Sequence, residues 1–223
     1  MHIHCEPAIR WQAAFAEKMR HGLRNLGFNP QVTSSRSRES DIAILLGTTF
    51  WQDIEQNGRY LLVDRCSFGN TDEWVSLVWD GHGRRGDHKA RTDPSRWEDV
   101  GYPIEAWKSG SRRVLCGQHG TYSPHYEYPM DWYLEVMDDC THFRPHPAAD
   151  NPTPLPEYHG FDDCEQFITL NSSIGVDAVM RGIPTVTMDE AAMAWEVSSH
   201  STWAVETPDR DEWLHWLAWT QWH

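Results

Sequence analysis

Residues 167–189, which read FITLNSSIGVDAVMRGIPTVTMD, decide the fold of this chain. The stretch opens with a short β-forming run at 167–170, and β character resumes at 185–188. A predicted helix begins near Ile174, ends at Gly182 and cannot continue through Pro184. This order of strand, helix and strand predicts a βαβ unit, which is typical of an α/β fold.

The polar turn before that helix predicts an anion site. Asn171, Ser172 and Ser173 follow the first strand directly. The first N–H groups of a helix have no partner inside the helix, and its positive dipole end favours a phosphate. Taken alone, the two serines are better explained as a helix cap. Other motifs of the chain are therefore needed to identify the ligand that carries this anion.

Alternating strands and helices extend this pattern over the whole chain. Predicted strands lie at 2–5, 31–33, 42–46, 60–63, 74–79, 113–116 and 141–144, with helices at 8–26, 47–56 and 129–137. Such alternation favours parallel sheets, and the polar loop at 81–110 divides the series in two. We predict domains at 1–108 and 109–206, with a C-terminal helix at 207–223 that packs back on the core.

Composition limits the partners and the compartment. The net charge is −14, so the surface repels nucleic acid, and a phosphate-rich partner needs a local basic patch. Five dispersed cysteines without a CxxC motif favour a reducing compartment. The chain shows no signal peptide and no apolar run of the ~20 residues that a membrane helix needs. We expect a cytoplasmic protein with no membrane partner.

Three loops of the second half follow predicted strands and carry ligand-binding side chains. In an open parallel sheet, ligands bind beyond the carboxyl ends of the strands, so these loops should converge. An arginine offers a fork that matches phosphate, and a carboxylate accepts hydrogen bonds from ribose hydroxyls. The predicted donor-binding residues are Gln118, Arg144, His146, Ser172, Ser173, Gly175 and Asp177.

These motifs resemble a known family. The RPHP motif at 144–147, followed by the small-residue turn and the RGIP motif at 181–184, resembles the second domain of GT-B glycosyltransferases. The likeness is greatest to capsule-type sugar transferases and to small glycosyltransferase-like proteins of phages. Asp177 stands where that family usually has Glu. Weaker likeness to the phage proteins lies at 64–69, 79–81 and 221–222.

The resemblance implies two Rossmann-like domains with parallel sheets facing a cleft. The C-terminal domain would hold a nucleotide-sugar and the N-terminal domain would hold the acceptor. Such enzymes usually need no metal and no other cofactor, because the helix dipole and basic side chains stabilise the departing diphosphate. We therefore predict no metal site, and the histidines near the N-terminus lack a paired motif elsewhere.

Acidic residues of the first half are candidates for the chemistry. Glu6, Asp64 and Asp80 each follow or end a predicted strand, which would place them on the acceptor side. An inverting sugar transfer needs a base that removes the acceptor hydroxyl proton. Asp80 and Glu6 are the catalytic candidates, although helix capping or turn formation explains either equally well. Asp64 is assigned to the acceptor, with an ion pair to Arg65 as its alternative.

The long polar loop carries a basic cluster that could bind the acceptor. Arg84 and Arg85 lead this cluster, and a solvated loop is the alternative interpretation. The likeness to phage proteins implies DNA with a 5-hydroxymethylpyrimidine as the acceptor. A glycan or small-molecule acceptor stays open, as does a non-catalytic nucleotide-binding module of the same fold.

Overall fold

The computed structural model describes residues 1–35, 41–47, 58–69, 73–118, 131–147 and 153–223. The chain forms two compact units, Met1–Asp93 with Trp216–His223, and Pro94–His215. The predicted domain limits at 108 and 206 stay predictions. Residues 48–56 of the predicted helix at 47–56 and residues 129–130 of the predicted helix at 129–137 lie outside the described residues. No helix in the described part is long and apolar enough to cross a membrane.

The first unit is built on a six-stranded sheet of order β10-β5-β4-β3-β1-β2. Its elements are β1 (His2–His4), α1 (Arg10–Asn25), β2 (Gln31–Thr33), β3 (Ala43–Leu46), β4 (Tyr60–Arg65), β5 (Val75–Trp79), a 3-10 turn at Gly83–Arg85 and β10 (Gln221–Trp222). Strands β1 to β4 are mutually parallel. Helix α1 covers one face of this sheet, where Phe15 and Ala16 pack against Ile3, Ile44 and Val63.

Strand β5 departs from the predicted parallel arrangement, because it runs antiparallel to β4. The connection at 66–74 has nine residues, whereas a parallel crossover needs about a dozen or more. The chain can only turn back at that length. The end of β5 therefore lies beside the start of β4, with Trp79 opposite Leu61.

The second unit contains a four-stranded sheet of order β7-β6-β8-β9 in which every pairing is parallel. Its elements are α2 (Ser95–Val100), β6 (Arg112–Cys116), α3 (Trp132–Val136), β7 (His142–Arg144), β8 (Cys164–Thr169), α4 (Ile174–Met180), β9 (Thr185–Thr187) and the first half of α5 (Asp211–Thr220), with short 3-10 turns at Met137–Asp139 and Trp195–Val197. The sequence predicted the unit β8-α4-β9, and the structure confirms it. Helix α4 packs on the sheet through Val176, Ala178 and Val179, all fully or almost fully buried.

Gly182 fixes the end of α4 against a neighbouring segment. Its φ is +72°, and a Cβ on it would lie 2.0 Å from the carbonyl oxygen of Ala106. The backbone N–H of Lys108 donates to the Gly182 carbonyl at 2.7 Å. Arg210 closes the same junction, since its guanidinium donates to the carbonyls of Val179 and Glu105. The short helix therefore depends on this close backbone approach for its position.

We expect Gly182→Ala to lower the free energy of unfolding by about 3 kcal/mol, because it adds a steric clash to an unfavourable left-handed backbone. Gly27→Ala is the matched control: its φ is +86°, but a Cβ there would meet nothing within 4 Å. Gly27→Ala should lower the free energy of unfolding only by the cost of a left-handed backbone conformation, roughly 1 kcal/mol. Urea unfolding of both variants measures the difference, and equal losses would show that the Ala106 contact is unimportant.

Candidate functional site

The carboxyl edge of the four-stranded sheet brings the predicted donor-binding loops together. Because all four strands are parallel, the loops after them leave from the same edge. The backbone N–H of Gly117, after β6, donates to the Arg144 carbonyl of β7 at 2.8 Å. The Asn171 amide, after β8, donates to Asp189, after β9, at 2.9 Å. Gln118, Arg144, His146, Ser172 and Ser173 therefore lie along one edge.

The serine turn uses most of its own N–H groups. The N–H of Gly175 donates to the Ser172 carbonyl at 3.0 Å, and those of Val176 and Asp177 donate to the Ser173 carbonyl at 3.0 and 3.2 Å. The Ser172 hydroxyl accepts weakly from Ile174 at 3.4 Å. The expectation of open N–H groups at this helix start is therefore wrong for most of the turn. An anion here must be held mainly by side chains.

Gly175 acts through packing. It is buried, and a Cβ on it would lie 3.2 Å from the Thr169 methyl group and 3.6 Å from that of Thr185. Its lack of a side chain lets α4 approach β8 and β9 closely. Gly175 therefore helps to set the position of the serine turn.

Arg144 and Asp177 lie close enough to influence each other's charge. Burial raises the pKa of the half-buried Asp177 carboxyl, while the positive charges of Arg181 and Arg144 act to lower it. Within the described residues, the Asp177 carboxylate accepts no hydrogen bond. One nitrogen of Arg144, Nη1, donates to the carbonyls of His159 and Gly160. Its guanidinium also lies 5.0 Å from the centre of the Phe161 ring.

Gln118 presents a buried polar atom without a partner. Its side-chain oxygen Oε1 is shielded from solvent and makes no hydrogen bond within the described chain. A buried acceptor left in this state costs about 1–3 kcal/mol, unless a ligand donates to it. Gln118 comes just after the central strand β6, so this oxygen lies at the edge where the other loops meet. His146 is half-buried at the same edge, after β7.

Glu6 lies at the carboxyl edge of the first unit's sheet, directly after β1 and Cys5. Its backbone N–H donates to Oε1 of the buried Gln12 at 2.7 Å, and its carbonyl accepts from Ile9 at 2.9 Å. Gly47 makes room for Gln12, since a Cβ there would lie 2.7 Å from the Gln12 amide nitrogen. The Glu6 carboxylate is half-exposed and has a weak contact, 3.5 Å, with the N–H of Ala8. The main chain is thus fixed while the carboxylate stays accessible.

Asp80 lies at the opposite edge of that sheet. Its oxygens accept from the N–H of Tyr60 at 2.8 Å and from Nε of Arg59 at 2.9 Å, both at the start of β4. The expectation that Asp80 and Glu6 line the same side is therefore wrong, because β5 is antiparallel. Asp80 also has a φ of +52° at the end of β5. These contacts give Asp80 a role in closing the turn.

Asp64 and the basic residues belong to the first unit. Asp64 lies in β4, one residue before the strand ends, and its Oδ2 is 3.4 Å from Nε2 of His82. Its other oxygen accepts from the backbone N–H of Arg65 at 2.8 Å, while the Arg65 guanidinium lies over Trp11. The 3-10 turn Gly83–Arg85 carries the two predicted arginines. Arg84 is half-buried and Arg85 is exposed.

Sequence reasoning missed several residues of these sites: Gln12, His82, Phe161 and Arg181. Arg181 had a signal, because it lies four residues after Asp177, the spacing at which helical side chains meet. Gln12 lies only six residues after Glu6, whereas the contacts of His82 and Phe161 join more distant parts of the chain. No local pattern marks them.

The raised pKa of Asp177 predicts a pH-dependent stability cost. A carboxyl group whose pKa is higher in the folded state loses stability as pH rises above its unfolded pKa of ~3.9, and the loss is complete above the folded pKa. We expect Asp177→Asn to raise the free energy of unfolding at pH 7 by about 1 kcal/mol, and by less towards pH 4.

Asp163→Asn is the control of opposite sign. The pKa of Asp163 is lowered, first by its hydrogen bond from the Ser111 hydroxyl and also by Arg112. That variant should be less stable than the parent at pH 7. Chemical unfolding at several pH values checks both. A loss of stability in Asp177→Asn at pH 7 would show that Asp177 takes part in a stabilising ion pair instead.

Comparison with known proteins supports the fold. No protein-family model matches the chain, and no curated protein matches it either. The similar solved structures include two of KpsC from Thermosulfurimonas dismutans. The structure described as a beta Kdo 2,7 transferase has 11% identity and a TM-score of 0.58, covering 99% of this chain and 89% of that chain. The structure described as a beta Kdo 2,4 transferase has 9% identity and a TM-score of 0.52, covering 98% and 89%.

At these identities the likeness is one of fold alone. The chain has a GT-B-like architecture, with two α/β units that each contain a mostly parallel sheet. These comparisons give no support to the likeness to phage proteins.

Proposed function

We propose that this chain is a glycosyltransferase that moves a sugar from a nucleotide-sugar donor to a hydroxyl group of an acceptor. One observation carries the proposal. Three loops that carry the predicted donor-binding side chains leave from the carboxyl edge of one parallel sheet, in a chain of GT-B-like fold. The names of the two similar structures, both sugar transferases, agree with this activity.

The donor would be held by the second unit. Nε and Nη2 of Arg144 make no hydrogen bond within the described residues, so they can donate to a phosphate. The hydroxyls of Ser172 and Ser173 lie at the same edge. Asp177 would accept from ribose hydroxyls, because its carboxylate has no donor in the described chain. During transfer the bond between sugar and phosphate breaks, and positive side chains stabilise the charge on the departing phosphate.

The base would come from the first unit. In an inverting transfer, the acceptor oxygen forms the new bond to the sugar and its proton passes to a carboxylate. We favour Glu6 over Asp80, since both oxygens of Asp80 are already hydrogen-bonded to Tyr60 and Arg59. Glu6 combines a fixed main chain with an accessible carboxylate.

The identity of the acceptor stays a prediction. DNA with a 5-hydroxymethylpyrimidine rests on the likeness to phage proteins and on the basic turn of Arg84 and Arg85. The net charge of −14 opposes binding to DNA. A glycan or small-molecule hydroxyl avoids that repulsion. The proposal therefore specifies an acceptor hydroxyl. Product analysis decides whether it belongs to DNA, a glycan or a small molecule.

Product analysis distinguishes these acceptors. The protein is incubated with a panel of nucleotide-sugars and either hydroxymethylated DNA or a set of glycans, and the products are identified by mass spectrometry. A sugar mass added to the nucleosides indicates DNA as the acceptor, and a sugar mass added to a glycan indicates the alternative. Donor binding without any transfer or hydrolysis would overturn the enzyme proposal in favour of a nucleotide-binding module.

Arg144→Ala is expected to weaken binding of the donor nucleotide about ten- to a hundredfold, since hydrogen bonds to charged groups contribute about 1.5–3 kcal/mol. Calorimetric titration with nucleoside diphosphates measures the change. Arg20→Ala is the control, because Arg20 pairs with Glu17 on the surface of α1 in the first unit. Unchanged affinity in Arg144→Ala would remove Arg144 from the phosphate site.

Glu6→Gln should lower kcat by a factor of about 10²–10⁴ while donor affinity is kept, because the amide cannot accept the proton. Asp80→Asn should instead lower the melting temperature and keep most of the kcat of the folded enzyme. Steady-state kinetics and thermal unfolding of both variants separate the two roles. If Asp80→Asn loses turnover with an unchanged melting temperature, Asp80 is the base and our assignment is reversed.

A further inference from the structure

A second arginine lies beside Arg144 on the same aromatic ring. The guanidinium of Arg181 is 4.5 Å from the centre of the Phe161 ring, and that of Arg144 is 5.0 Å from it. Phe161 stacks on the fully buried Phe167, with ring centres 5.3 Å apart and an angle of 7°. The ring is therefore anchored to the core of the second unit. It holds both positive groups in one place through cation–π contacts.

The two positive charges are not neutralised by partners of their own. Within the described residues, neither guanidinium is at ion-pair distance from a carboxylate. The positive charges of both arginines act to lower the pKa of Asp177, but burial outweighs them and raises it. Arg181 also influences Glu105, whose carboxylate is paired with Lys108. The Asp177 carboxyl is thus under the influence of both positive charges without being at ion-pair distance from either guanidinium.

Other arginines of this unit are differently arranged. Arg112 also lies over an aromatic ring, 5.1 Å from the centre of Tyr158, yet it is paired with Asp163 at 3.0 Å. Arg210 lies over Trp107, and its donors are used by two backbone carbonyls. In a chain with a net charge of −14, a local surplus of positive charge at Phe161 favours an anionic ligand.

We propose that Arg181 and Arg144 form a two-arginine site on Phe161 that binds a ligand with two negative groups. The proposal rests on the proposed function, since it adds Arg181 and Phe161 to the donor site. Arg144 contributes its two unused nitrogens, and the exposed Arg181 contributes a second guanidinium on the same ring. Two sources share this chemistry: the two phosphates of a nucleoside diphosphate, or one phosphate together with the carboxylate of an acidic sugar.

The site should distinguish ligands by their number of charges. A single phosphate can satisfy one guanidinium fork, whereas a diphosphate can meet both. Removal of Arg181 should therefore lower the affinity for pyrophosphate and leave that for inorganic phosphate almost unchanged. Phe161 acts as a positioning residue, because it fixes the arginines and need not touch the ligand.

Calorimetric titration of the full chain with pyrophosphate and with inorganic phosphate tests the proposal. We expect the parent protein to bind pyrophosphate more tightly, and Arg181→Ala to lose about tenfold in that affinity with a weaker dependence on salt. Arg181→Lys should recover part of the loss, since it keeps the charge and loses the planar fork.

Titration with a nucleoside diphosphate and the matching monophosphate then identifies the source of the two charges. Tighter binding of the diphosphate indicates two phosphates. Still tighter binding of a nucleoside monophosphate linked to an acidic sugar, with a larger loss of that affinity in Arg181→Ala, indicates one phosphate together with a carboxylate.

Arg112→Ala is the matched control, because it removes a similar contact between an arginine and a ring in the same unit. It should keep the parent affinity for pyrophosphate, and thermal unfolding checks that both variants fold. The proposal is overturned if the parent protein does not prefer pyrophosphate, or if Arg181→Ala binds it as the parent does. That failure is separate from failure of the proposed function. If the protein transfers sugar but Arg181→Ala binds pyrophosphate as the parent does, only the two-arginine site is refuted. If the protein binds pyrophosphate as expected but transfers no sugar, only the proposed enzyme activity is refuted.

Discussion

The common direction of β6, β7, β8 and β9 is the constraint on which the candidate site depends. Parallel strands end at one edge, so residues that are distant in sequence become neighbours there without any long-range recognition. Two hydrogen bonds then tie the loops in pairs, from Gly117 to Arg144 and from Asn171 to Asp189. The first unit shows the effect of a reversed strand. Its antiparallel β5 carries Asp80 to the edge opposite Glu6.

An anion at this edge would be held by charged side chains more than by main-chain N–H groups. The first turn of α4 satisfies several of its own N–H groups through the carbonyls of Ser172 and Ser173. What remains is Arg144 and the half-buried Asp177, whose carboxyl is also influenced by Arg181 at the end of α4. Burial of a carboxyl group costs stability at neutral pH, and no hydrogen bond in the described chain offsets that cost. Residues that reduce stability in this way are typical of functional sites, where a ligand supplies the missing partner.

Local signals in the sequence accounted for the elements that local interactions determine. The unit β8-α4-β9 was predicted from a β-forming run, a helical stretch and the stop at Gly182 and Pro184. Its parallel direction then placed Arg144, His146 and the serine turn correctly at one edge. The direction of β5 was also encoded, in the short connection at 66–74, although the alternation of elements pointed the other way. Phe161 could not have been found, because its contacts with Arg144 and Arg181 join three segments that no periodic pattern relates.

The same reasoning explains why the two acidic candidates of the first unit have different roles. Both come after strands, and sequence alone gives them equal weight. Asp80 closes a turn in which the backbone has a positive φ, and its two oxygens hold the start of β4. For Glu6, the buried Gln12 side chain takes over the task of fixing the main chain, and Gly47 provides the space for that side chain. A carboxylate released from structural hydrogen bonds can accept a proton, whereas one that holds a turn would have to break the turn to do so.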